Sequence, residues 1–94
     1  MSIGHALIIP KRHEPNYLNL TNEEKLDIEK LTNTIINYQK MKYLQGGFNI
    51  GINIGKAAGQ TISHCHIHII PRYDGDMDDP TGGVRGVIPS KQKY

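Results

Sequence analysis

Ninety-four residues allow one small domain. A content of 37% hydrophobic and 21% charged residues fits a folded soluble chain better than a disordered or membrane one. Eleven basic against nine acidic side chains leave a net charge of +2, too weak an excess to read as a footprint for polymeric nucleic acid or a membrane surface. The single cysteine makes no internal disulfide. No apolar run approaches the ~20 residues of a membrane span, and the default expectation is a reduced, cytoplasmic protein.

Gly4-His5-Ala6-Leu7-Ile8-Ile9, closed by Pro10, reads as a strand over 4–9. Residues 11–20 are polar and interrupted by proline, which makes a loop. Thr21 then stands three residues before Glu24, the capping-box spacing at a helix start. Leu26, Ile28, Leu31, Ile35 and Tyr38 follow at mostly three- and four-residue steps, one apolar stripe on a helix over 21–44 that Gly46-Gly47 ends. Phe48, Ile50, Ile52 and Ile54 alternate with Asn49, Gly51 and Asn53, the pattern of a half-buried strand over 48–54. Small residues fill the loop 55–61, and a second alternating segment spans 64–70. Residues 71–94 hold three prolines and four glycines without periodicity and read as a loop or arm. With no repeat and no linker, residues 1–94 form a single domain. Strand, helix, strand, loop, strand makes an α+β fold: an antiparallel sheet with one long helix packed on it.

His64, His66 and His68 share one face of the last strand, with Cys65, Ile67 and Ile69 on the other. Cys65 reads as a small core hydrophobe. Three readings of the row compete. A solvated outer face would explain one histidine better than three in strict alternation. A metal site suits imidazole, but His64 and His68 lie ~13 Å apart along a strand and do not converge on one ion. Two alternate histidines could share a metal only with ligands from elsewhere, and no His-x-x-x-His or Cys-x-x-Cys outside the row supplies them. The third reading is attack on phosphorus, because neutral imidazole is a good nucleophile near pH 7 and phosphoryl transfer chiefly requires positioning. The loop 55–61 just upstream would let a phosphate approach closely and offer it backbone amides. Lys56 faces either phosphate or solvent, and His13 reads as a surface loop residue. Arg72 and Arg85 offer forks for polyphosphate or sit solvated in the tail.

His64-Cys65-His66-Ile67-His68-Ile69-Ile70 resembles the signature of the histidine triad (HIT) nucleotide hydrolases and transferases. Ala58-Gly59-Gln60-Thr61 and Gly4-His5-Ala6-Leu7-Ile8-Ile9-Pro10-Lys11-Arg12-His13 are similar to that family's other two hallmarks, and Gly82-Gly83-Val84-Arg85 to the tails of some microbial members. The resemblance implies that His66 is the nucleophile of a nucleotidyl-histidine intermediate and that His68 contacts the α-phosphate. It also implies that the His64 carbonyl sets the tautomer of His66, and that His5 supports the triad from the neighbouring strand. Asn53, Gln60 and Thr61 would contact phosphate or leaving group. The implied reaction is cleavage of a nucleoside 5′-phosphoryl bond in dinucleoside polyphosphates or nucleoside phosphoramidates, with the tail closer to the dinucleotide-hydrolase type. A homodimer is implied. No protein-bound metal is expected, because the row does not wrap one ion, and Mg²⁺ would arrive, if at all, with the polyphosphate. The alternatives are a nucleotide-binding module without turnover and a metal-binding His-x-His strand protein. The family's N-terminal strands and helix, which line the base pocket, are expected to be missing, because the first motif begins at residue 4.

Overall fold

The computed structural model describes residues 2–93; residues 1 and 94, the ends of the expected domain and tail, lie outside the described residues. Strands β1 (Ala6–Ile8), β2 (Gly47–Ile52) and β3 (Ile67–Arg72) form one antiparallel sheet in the order β1-β3-β2, and helix α1 (Asn22–Lys42) packs on β1 and β3. This is the α+β architecture that the hydrophobic pattern predicts.

The helix begins where the capping box places it. Thr21 Oγ1 accepts from the Glu24 amide at 3.0 Å, and Glu24 Oε1 accepts from the Thr21 amide at 2.9 Å. Glu23 and Glu24 in the first turn and Lys40 and Lys42 in the last complement the helix dipole. The buried face differs from the predicted stripe. Ile28, Ile35 and Ile36 pack against the core of Ile8, Leu20, Cys65, Ile67 and Ile69, while Leu26, Leu31 and Tyr38 stay about half exposed. Gln39 is 3% exposed on that same buried face, its side-chain amide donating to the Gly4 carbonyl. A straight helix at 3.6 residues per turn carries 28, 35 and 39 along one line and turns 31 and 38 aside.

The sheet boundaries also shift. The first strand is shorter than 4–9, because Gly4 takes a left-handed turn. The last strand starts at Ile67 rather than at residue 64 and runs on through Pro71 and Arg72, so the tail begins two residues later than expected. His64 and His66 therefore precede the ladder. The alternation continues through them nonetheless, with Cys65 buried between two half-buried histidines. What replaces the ladder is the loop 10–15: the Cys65 amide donates to the Glu14 carbonyl at 2.7 Å. Ile54 lies beyond the end of β2, and Ile50 on β2 is 48% exposed.

Candidate functional site

Register sets the site on the sheet face opposite α1. Leu7 and Gly51 both pair with His68, and Asn49 pairs with Ile70. One step beyond the last pair, Ile52 opposite Ile67, Asn53 comes level with His66.

The structure brings four histidines together. His66 Nδ1 lies 3.0 Å from the His64 carbonyl, and a carbonyl only accepts, so Nδ1 carries the proton. In the neutral ring the lone pair is then on Nε2, free for attack. His64 turns away: its Nε2–H donates to the Pro10 carbonyl at 2.8 Å, and the ring sits 5.4 Å from that of His13. His13 is thus exposed but beside the row. His5 Nε2 faces His68 Nδ1 at 3.0 Å, and one proton is shared between them. With that proton on His5, His68 presents Nε2–H outward, a donor for a phosphate oxygen. The rings of His66 and His68 stand 5.0 Å apart, edge to face. Burial lowers the His68 pKa below its ordinary value, and the neighbouring His66 and His5 lower it further.

The loop after β2 is built differently from a phosphate cradle of open amides. Its amides at Ala58 and Gln60 donate to the Gly55 carbonyl, and that at Gly59 to the Lys56 carbonyl, closing a tight 3-10 turn at Lys56–Ala58. Gln60 locks it: its Oε1 accepts from the Gly55 amide at 2.8 Å, and its Nε2 donates to the Pro15 carbonyl at 2.7 Å. Both ends of the Gln60 amide are engaged in holding the loop. Thr61 and Lys56 are exposed at the loop surface, and Asn53 is half-buried below it.

Sequence reading missed the segment 10–15 as a scaffold. Its carbonyls at Pro10, Glu14 and Pro15 hold His64, Cys65 and Gln60, and backbone acceptors leave no side-chain signal. Arg12 braces that segment, bonding Glu14 at 3.2 Å and Glu24 at 2.8 Å. The Arg12 hydrogen bond is the main reason the Glu24 carboxyl is held down at about 2. Arg72 is likewise committed, to Asp76 through Nε and Nη2 and to Asn49 Oδ1 through Nη1. Among the described residues, no group of three or more His, Cys, Asp or Glu is placed to hold a metal ion.

A nucleophilic imidazole of fixed tautomer beside a second imidazole donor is equipped for displacement at phosphorus. Residues 1–75 match the HIT domain family, and the chain belongs to it. It is 40% identical over 76 residues to a bis(5′-adenosyl)-triphosphatase of Dictyostelium discoideum, covering 81% of this chain and 51% of that one. It is 35% identical over 89 residues to an AP-4-A phosphorylase of Mycobacterium tuberculosis, covering 92% of this chain and 45% of that one. A HIT family protein from Bacillus anthracis superposes with a TM-score of 0.71 at 43% identity, over 74% of this chain and 50% of that one. The chain spans about half the length of the curated relatives it matches.

Proposed function

We propose that this chain cleaves the 5′-phosphoryl bond of dinucleoside polyphosphates through a nucleotidyl-His66 intermediate. The observation that carries the reading is the 3.0 Å contact between His66 Nδ1 and the His64 carbonyl, which leaves the lone pair on Nε2 of a ring that stands edge to face with that of His68. In the first step the Nε2 lone pair forms a bond to the α-phosphorus. The bond from phosphorus to the bridging oxygen breaks, and the departing nucleotide takes that electron pair. The imidazole becomes a cation, and its Nδ1–H stays bonded to the His64 carbonyl, which spreads the charge. In the second step an acceptor oxygen attacks phosphorus, the P–N bond breaks with its pair returning to Nε2, and the proton carried by the attacking water or phosphate is released to solvent.

The acceptor decides the product. Water gives a nucleoside monophosphate, and inorganic phosphate gives a diphosphate; the names of the two curated relatives divide along that line. His68 would steady the phosphate oxygens, with Asn53 and Thr61 at its flank and Gln60 shaping the loop. No resident metal takes part in this scheme. His64 is turned to Pro10, and His66 spends one nitrogen on a carbonyl, so the row does not offer convergent lone pairs. Mg²⁺ would arrive with the polyphosphate. The working form would be a cytoplasmic homodimer. No described helix is long and apolar enough to cross a membrane.

The test is product release from diadenosine triphosphate, diadenosine tetraphosphate and adenosine 5′-phosphoramidate, with and without inorganic phosphate. The reading expects turnover of the dinucleotides, unchanged after dialysis against chelator once Mg²⁺ is restored. A single burst equal to enzyme would support the binding module instead. Activity restored only by Zn²⁺ would support the metal site.

A further inference from the structure

The site face does not stop at His68. Beyond it, away from His66, β3 carries Ile70 and Arg72 on the same face, and Asn49 stands opposite Ile70 on β2. The tail folds back over this stretch, with the 3-10 turn Gly83–Val87 packed against β2. Between them lies a groove of about 470 Å³ that opens at His5 and His68.

The roof of the groove is a built structure. Gln92 Nε2 donates to the carbonyls of Asp79 and Thr81, both at 3.1 Å, and Arg85 Nε donates to the Lys91 carbonyl at 3.2 Å. Lys93 pairs with Asp79 at 3.2 Å. Gly82 has a φ of +91°, and a Cβ there would fall 1.8 Å from the Gln92 carbonyl oxygen, so only glycine closes the knot.

The chemistry of the groove is selective. The Arg72 guanidinium is engaged by Asp76 and by Asn49 Oδ1, so it supplies structure to the groove and not a phosphate fork. Because Asn49 accepts through Oδ1 at 2.6 Å, its Nδ2 turns toward Gly83, 3.9 Å from where a Cβ would sit. Ile70, Val84 and Val87 supply apolar walls around that amide donor. Apolar walls with one oriented amide suit a flat heteroaromatic ring. Direction follows from the displacement. Attacking and leaving atoms lie roughly in line across phosphorus. A phosphate held between His66 and His68 sends its leaving group away from His66, toward the groove.

We infer that the groove roofed by Gly83–Val87 receives the nucleobase of the departing half of a dinucleoside polyphosphate. This rests on the hydrolytic reading above and names a second subsite for it.

The test compares diadenosine tetraphosphate with adenosine 5′-tetraphosphate, which lacks only the second nucleoside, on the full chain and on its V84N/V87N variant. Both valines are exposed, at 64% and 80%, so the variant keeps the fold, and an unchanged melting temperature verifies it. The expected result is a KM for the dinucleotide raised about tenfold, with KM for the mononucleotide and both kcat values unchanged. Equal rises for both substrates, or no change in either, overturn the subsite while leaving the hydrolase in place. A wild-type chain that turns over neither substrate defeats the hydrolytic reading, and the subsite with it.

Discussion

His66 has one nitrogen bonded to a backbone carbonyl, which leaves the lone pair on the other, and that division of labour predicts an uneven mutational profile. On the proposed mechanism His66→Asn removes the attacking pair and should abolish turnover, read as product release, with the melting temperature retained. His68→Ala would remove one proposed phosphate donor and leave the proposed nucleophile, so kcat should fall about 10²–10³-fold. The His68 environment also makes a prediction about pH. Its folded pKa is depressed by burial and by its histidine neighbours. The unfolded chain therefore takes up that proton first, so stability is full above about pH 6.5 and declines as pH falls below it. The decline levels off once folded His68 is itself protonated. Urea midpoints between pH 8 and pH 5 should fall for the wild type and fall less for His68→Asn; an equal fall in both contradicts the assignment. The three histidines of the row were legible in sequence because alternation places them on one face, and His5 because its short motif resembles a family hallmark. The role of Arg12 was not, since its partners Glu14 and Glu24 sit on separate elements that only the fold brings together.

Each element was legible to the extent that one periodic signal dominated it. The capping box fixed the start of α1, and Thr21→Ala should cost about 1 kcal/mol of stability by chemical denaturation. The helix face was harder to read. Sequence offered Leu26, Leu31 and Tyr38 as core, yet a polar side chain, Gln39, took the buried line because its amide meets the Gly4 carbonyl. The tail carried no periodicity at all, and its knot depends on Gln92 reaching back to Asp79 and Thr81, which no local pattern announces. The loop 55–61 was recognised by its small residues, but its amides turn inward and Gln60 ties it to Pro15. Gln60→Ala should free that loop and lower kcat, by up to about 10²-fold where the misplacement reaches 1 Å, at nearly constant stability. An unchanged kcat with a raised KM would instead make Gln60 a direct substrate contact.

A three-stranded sheet leaves both β1 and β2 with open edges, and the helix covers only part of one face. Ile50 on the β2 edge is 48% exposed, and Leu26 and Leu31 on α1 are 51% and 48% exposed. Open edges and uncovered apolar side chains favour association in a chain this small. Sedimentation at micromolar concentration should show a dimer, and Ile50→Lys should shift it toward monomer; a wild-type monomer would overturn this expectation. Stability of the whole rests on the central strand. Ile69 is fully buried, and Ile69→Ala should cost about 2–5 kcal/mol.

Covalent attack by His66 is tested most directly by trapping the intermediate. The chain is mixed briefly with diadenosine tetraphosphate, quenched with denaturant at alkaline pH where a P–N bond survives, and weighed intact and as peptides. The account predicts one adenylyl group per reacted chain, mapped to His66 and absent from His66→Asn. Turnover without any adduct, and undiminished in His66→Asn, would contradict it.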